Sequence, residues 1–210
     1  MRTADDFNRY YATPDPWGVS RATFRDRVLR RHLTRFVRNK SVLELGCGEG
    51  HLTQAIFHKA RSVMAVDISD IAIARAKSLN LRNARFENAD LLDVSFRGYD
   101  VIAAIECIYF LSHQEQGAFL EKVAREHSGK MLLISGPIID YQRYFSHRRL
   151  MLEFKTVGFT VVKFHNLSVY WRPLPFRIVA NLLKLPPGYR LLDWVPERMI
   201  YQRLYILRAP

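Results

Sequence analysis

Through the middle of the chain, short apolar runs alternate with stretches of helical period. Ser41-Val-Leu-Glu-Leu45, Ser62–Val66, Arg85–Glu87, Tyr99–Ile105 and Lys130–Ile134 read as strands. Between them Leu52, Ala55 and Ile56 share a helix face, Ser69 or Asp70 caps a helix carrying Ile71, Ala74 and Leu79, and a further helix surrounds Ala118–Arg125. Strands separated by helices predict a parallel sheet covered on both faces. The almost wholly apolar Tyr99–Ile105 fits a strand buried on both sides. Past Pro137 an arginine-rich helix over about Tyr141–Thr156 ends near Gly158, and Phe159–Phe164 and Arg203–Leu207 read as two more strands. The 35-residue connection 166–200 between them holds five of the nine prolines and is too long for a plain loop. Ahead of the core, the turn Thr13–Gly18 precedes a basic helix over about Ser20–Arg38, with Phe24, Val28, Leu33 and Phe36 or Val37 as its apolar stripe.

A chain of 210 residues holds one domain with a generous core, and neither repeats nor low-complexity segments break it. Composition is ordinary for a globular protein, but the net charge of +12 is unevenly placed. Residues 1–40 carry ten basic and four acidic side chains, residues 41–140 ten and thirteen, and residues 141–210 twelve and three. A mildly acidic middle thus lies between two basic arms. Two cysteines, Cys47 and Cys107, cannot make a disulfide framework, and the first residues lack an apolar signal stretch, so a reduced, cytoplasmic protein is expected. The densest apolar run, Met131–Ile139, is far shorter than the roughly 18 residues that cross a bilayer, which leaves peripheral membrane contact open.

Three of the ten glycines, Gly46, Gly48 and Gly50, lie between the first strand and the first helix, in Glu44-Leu-Gly-Cys-Gly-Glu-Gly50. Glycine there lets the backbone turn tightly and approach a ligand with no Cβ in the way. A dinucleotide fingerprint would need glycine where His51 stands, and no Gly-Lys-Ser/Thr ending exists for a phosphate cradle. Asp67, 21 residues after Gly46 at the end of the second strand, is placed to accept hydrogen bonds from both ribose hydroxyls. Asp90, after the third strand, adds an acceptor where an adenine amino group would lie. Glu44 sets a negative charge beside the loop, which suits a cationic cofactor and repels a pyrophosphate. The combination favours a sulfonium.

These residues resemble the first motif, E/D-x-G-x-G-x-G, and the downstream acids of class I S-adenosylmethionine (SAM) methyltransferases. The resemblance covers about residues 41–136. It implies an α/β Rossmann-like sandwich, a seven-stranded mixed sheet with an antiparallel last strand, binding SAM and releasing S-adenosylhomocysteine. It further implies Glu44 as an organising acid, Gly46, Cys47, Gly48 and Gly50 as the cofactor loop, Asp67 with Ile68 at the ribose, and Asp90 with Leu91 at the adenine. Asp15-Pro16-Trp17 before a basic helix, and Ile105-Glu-Cys-Ile-Tyr-Phe-Leu111, are similar to the nodulation N-methyltransferases (NodS type), from which the chain departs at Cys107, Ile108 and Phe110. Those enzymes methylate the amino group of a glucosamine unit in a chitin-like oligosaccharide. The resemblance therefore implies an amine or hydroxyl of a small, saccharide-like acceptor, with nitrogen preferred.

Methyl transfer from a sulfonium is an in-line displacement with an activated leaving group, so placement and exclusion of water can supply much of the catalysis. A neutral amine must be presented, and a hydroxyl must lose its proton, so a base can assist. Glu106, ending the fourth strand, is the first candidate for that base, for an acceptor-orienting carboxylate or for a cofactor-side hydrogen bond. Tyr109 is expected to line the methyl site or to pack in the core. His113 is a second candidate base, with Ser112 beside it pointing instead to a helix cap. Asp140 and Tyr141 follow the fifth strand, where acceptor contacts fall. Metal-ligand spacings are missing from the sequence, so no metal is implied; Asp90, Asp93 and Asp140 are the one carboxylate set kept for magnesium. The organisation expected is a basic lid arm over residues 1–40, a SAM-binding core over 41–140 and an acceptor-side region over 141–210 containing the insert 166–200. In the arm, Trp17 is expected to stack on cofactor or acceptor, or to anchor the arm, and Arg21 to pair with the SAM carboxylate. The arms' arginines and aromatics fit a sugar site, an anionic membrane surface or, less well for want of a binding module, nucleic acid. A SAM-binding regulatory module without turnover is the non-enzymatic alternative.

Overall fold

The computed structural model describes residues 3–21, 24–138, 146–170, 178, 181–183 and 188–210. Seven strands form one sheet: β1 (Ser41–Leu45), β2 (Ser62–Asp67), β3 (Ala84–Asn88), β4 (Val101–Ile105), β5 (Met131–Pro137), β6 (Thr160–Val169) and β7 (Ile200–Arg208), in the order β3-β2-β1-β4-β5-β7-β6. Strands β1 to β5 are mutually parallel, and β7 runs antiparallel between β5 and β6. The expected mixed sheet with an antiparallel last strand is what forms. Chain order reverses between β1 and β4, whose carboxyl ends open side by side with Leu45 opposite Ala104. In open α/β sheets that crevice is where ligands bind.

The strands carry two cores because side chains alternate across the pleat. Val42, Ala103 and Ile105 join Val28, Leu29 and Leu33 of helix α2 (Phe24–Val37) on one face. On the other face, Leu43, Leu45, Ile102 and Ala104 pack with Phe119, Leu120 and Val123 of α5 (His113–Glu126) and with Leu150 and Phe154 of α6 (His147–Val157). Helix α3 (His51–Ala55) leaves the glycine cluster directly, and α4 (Asp70–Ser78) starts on Ser69, whose hydroxyl accepts from the Ala72 N–H.

Strand ends shift by a few residues, and three elements differ more from the sequence reading. Helix α1 (Ala4–Tyr11) was not expected, although its signature is a capping box in which Thr3 and Asp6 satisfy each other's backbone amides. Strand β6 runs on to Val169 instead of stopping near Phe164, because register shifts between Val161 and Lys163 and again near Ser168 break the two-residue alternation. The basic segment near residue 20 is split into a single turn at Val19–Arg21 and then α2. The connection after β6 contains a seven-residue 3₁₀ helix at Gly188–Trp194 and a single turn at Glu197–Met199. Among the described residues, no helix is long and apolar enough to cross a membrane.

Candidate functional site

The crevice between β1 and β4 holds a cavity of about 250 Å³. Its floor is the glycine turn. Gly46 and Gly48 have φ of +67° and +54°, and a Cβ on Gly46 would fall 2.6 Å from the Cys107 Cβ. Only glycine satisfies both the left-handed backbone and that contact. Gly50 serves differently: it turns the chain into α3 against Leu79, Phe86 and Ala76 and does not face the cavity.

Asp67 is buried at the end of β2, where its two oxygens accept from the Gly48 N–H (2.8 Å) and the Ser69 N–H (3.0 Å). Burial raises its pKa and those amides oppose the rise. Each oxygen keeps a lone pair for a ligand hydroxyl. Ile68, Asp90 and Leu91 continue the same wall, with Asp90 Oδ1 accepting from the Leu92 N–H. Acceptors at one end of apolar walls, inside a cavity also lined by Asp15, Glu49 and Glu106, give a set that fits an adenosine carrying a sulfonium. Glu44 does not line this cavity. It lies beneath the loop, accepting from Thr53 Oγ1 at 2.5 Å, and burial raises its pKa to about 8. Cys47 reaches the wall, while burial holds its thiol and that of Cys107 well above their ordinary pKa.

At the opposite end stands Glu106. Its φ is +58°, a left-handed backbone that L side chains rarely take. Ser135 Oγ donates to Oε1 (2.8 Å) and Gln202 Nε2 to Oε2 (2.7 Å), and Ser168 Oγ in turn donates to Gln202 Oε1 (2.8 Å). Burial raises the Glu106 pKa, while Arg25 and the two donors pull it back. Tyr109 and Arg25 line the same end, and Arg25 is steadied by Asp26 at 2.9 Å. Burial and the Glu106 charge push the Tyr109 hydroxyl far up, so it stays protonated.

His113 is not part of this group. The reciprocal capping of Ser112 and Glu115 fixes it as the exposed first residue of α5, outside the lining. Asp140 and Tyr141 lie outside the described residues, as does the side chain of Arg21, and Asp93 is exposed away from the cavity. Trp17 does line it, stacked on Tyr10 with centroids 5.3 Å apart and tilted toward Phe110.

The N-terminal arm forms the cavity's outer wall through Phe7, Tyr11 and Asp15. Hydrogen bonds to the core hold it. Ser69 Oγ donates to Asn8 Oδ1 (2.6 Å), Arg75 donates to the Tyr11 carbonyl (2.7 Å), and the Asp15 N–H donates to Glu49 Oε2 (2.8 Å). Glu49, buried, also takes Arg75 on its other oxygen at 2.5 Å and has His51 Nε2 at 3.2 Å. Asp15, Glu49 and His51 bring three ligand-type atoms within 4.8 Å of one another, but the carboxylates already serve the arm and Arg75. Sequence reading missed Tyr11, Arg25, Glu49 and Gln202. Only Glu49 carried a signal, as an acid between two of the loop glycines.

Residues 42–126 match the family model described as a methyltransferase domain. Over 75 residues the chain is 36% identical to ribosomal RNA small subunit methyltransferase A of Mycoplasmopsis synoviae, covering 33% of this chain and 29% of that one. Over 107 residues it is 25% identical to nodulation protein S of Azorhizobium caulinodans, covering 49% and 52%. The chain thus spans about half or less of the curated relatives' lengths. The solved N-methyltransferase NodS of Bradyrhizobium japonicum, in complex with S-adenosylhomocysteine, superposes over 100% of both chains with a TM-score of 0.70 at 17% identity, a likeness of fold. Residues 42–126 thus match a methyltransferase-domain model, and the chain as a whole has the class I methyltransferase fold, with a partial likeness to NodS.

Proposed function

We propose that this chain is a SAM-dependent methyltransferase that methylates an amine of a small, saccharide-like acceptor. The observation carrying the reading is the pairing, in one cavity, of adenosine-type acceptors at Asp67 and Asp90 with a carboxylate, Glu106, held by two donors at the far end. When bound, SAM supplies an electrophilic methyl on a sulfonium. Asp67 accepts from the ribose hydroxyls and Asp90 from the adenine amino group. Glu106 receives a hydrogen bond from the amine, aims its lone pair along the attack line, and takes the proton that the nitrogen sheds once it carries the methyl. Arg25 opposes the rise that burial gives the Glu106 pKa. Tyr109, Phe110 and Trp17 exclude water from the reacting end. The preference for nitrogen and for a sugar rests on the partial NodS likeness.

The test is a mass-shift screen of amino sugars, glycans, lipid-linked glycans and RNA with SAM, scored by a +14 Da product and release of S-adenosylhomocysteine. Methylation of an amino sugar or amino glycan is the expected result. A product on RNA alone overturns the choice of acceptor, and tight SAM binding with no product on any class points to a regulatory module.

A further inference from the structure

Two surfaces lie outside the cavity and take no part in methyl transfer: the outer face of α2 and the outer edge of the 166–200 connection. The fold brings them together. The His32 ring of α2 stacks on His165 of β6, centroids 3.6 Å apart, and His165 Nδ1 lies 2.8 Å from Asp193 Oδ2 in the connection. Leu183 and Leu192 of the connection are buried in the same apolar cluster as Leu29 and Leu33 of α2.

Burying Leu192 turns its neighbours outward. Residues 188–194 form a helix of about three residues per turn, which aligns Leu191 and Trp194 on one edge. They are 57% and 85% exposed, and Ile178 and Leu182, four residues apart beside buried Leu183, are 56% and 61% exposed. Across the histidine stack, α2 presents Arg27, Arg30, Arg31 and Arg35 to solvent, followed by Arg38 and Lys40. The lone acid of α2, Asp26, is buried and paired with Arg25 at 2.9 Å.

We propose that this combined face docks on an anionic lipid bilayer. Leu191, Trp194, Ile178 and Leu182 enter the boundary between headgroups and acyl chains, and the α2 arginines lie against the anionic headgroups. Apolar side chains beside exposed cations are what an interfacial membrane contact uses. An RNA surface would want aromatic planes on which bases stack, whereas three of these four side chains are aliphatic and gain only by leaving water. Docking itself does not depend on methyl transfer. What it adds rests on that reading: the Tyr170 N–H donates to the Met199 carbonyl (2.9 Å) at the base of the connection, and Gln202, three residues on, holds Glu106. The connection that carries these apolar side chains therefore leads into the strand that supplies Gln202, which suits an acceptor carried on a lipid.

The full chain is sedimented with vesicles of phosphatidylcholine alone and of phosphatidylcholine mixed with phosphatidylglycerol, and separately with poly(U). Binding to the anionic vesicles only is expected. Arg30→Gln with Arg35→Gln should weaken it about twenty-fivefold, at roughly fivefold per arginine. Leu191→Ser with Trp194→Ser should weaken it at least about tenfold. Both variants should keep the wild-type melting temperature and SAM affinity, which separates lost docking from a failed fold or a wrong cofactor reading. Equal or no binding to the two vesicle types, unchanged binding by both variants, or binding to poly(U) without binding to vesicles overturns the proposal.

Discussion

Glu106 carries the most information of any single residue. A left-handed backbone on a side chain with a Cβ costs about 1–2 kcal/mol, and the fold sustains it with Ser135 and Gln202 bonding both carboxylate oxygens. Replacing it by glutamine keeps the shape and removes the base, so kcat should fall about 10²–10⁴-fold while SAM affinity, measured by calorimetry, stays within about threefold. Gln202→Leu removes a donor to the ionised form. The Glu106 pKa, already raised by burial, should rise further, and the ascending limb of kcat against pH should move to higher pH. A limb that stays in place would deny Gln202 its positioning role. Glu44 makes a separate prediction, about stability. Its pKa is raised to about 8 in the folded chain against roughly 4.3 unfolded, so the native state binds more protons between those values. Its contribution is complete at low pH and fades as pH rises toward 8. Urea midpoints of the wild type should decline over that window, and those of Glu44→Gln should decline less. The acids at strand ends were legible in the sequence because a strand's last residue faces the crevice whatever the rest of the fold does. Gln202 was not, since its partner depends on the register of an antiparallel strand 96 residues further along the chain. For His113 the helix cap offered by Ser112 is the reading that holds, because nearness to a strand end in sequence says nothing about which way a capped helix turns its first residue.

Among the elements, the N-terminal arm is the one whose removal tests the site most directly. Helix α1 lies against α4 through the Asn8–Ser69 bond, and Arg75 binds both the Tyr11 carbonyl and Glu49. Deleting residues 1–18 removes Tyr11 and Trp17 from the cavity wall and leaves Glu49 and Arg75 open to water. SAM affinity of the truncated, folded chain should fall at least about tenfold, which is 1.4 kcal/mol; unchanged affinity by calorimetry would remove the arm from cofactor binding. The core of the sheet could be read from the chain because β1, β2, β4 and β5 are apolar enough to be buried on both faces. Helix α1 escaped because it is mostly polar, and just one of its residues, Tyr11, is buried. Strand β6 was cut short because bulges destroy the alternation on which a strand is recognised.

For the whole molecule, the division of charge becomes a spatial one. The net charge of +12 is carried entirely by the arms, and the stack of His32 on His165 joins part of each arm on one face, away from the acid-lined cavity. A cofactor held by buried carboxylates and backbone amides is screened little by salt, whereas contacts made by exposed arginines across a Debye length of about 10 Å at 0.1 M are screened strongly. The two activities should therefore separate on one axis. Raising NaCl from low ionic strength to about 1 M, where the Debye length is about 3 Å, should change SAM affinity less than about threefold. The same change should remove most binding to any anionic partner of the arms. Calorimetry and sedimentation on a single preparation measure both. If SAM affinity fell as steeply with salt as partner binding does, the exposed arginines of the arms would have to reach the cofactor, and the separation of an acidic cofactor cavity from a basic docking face would be wrong.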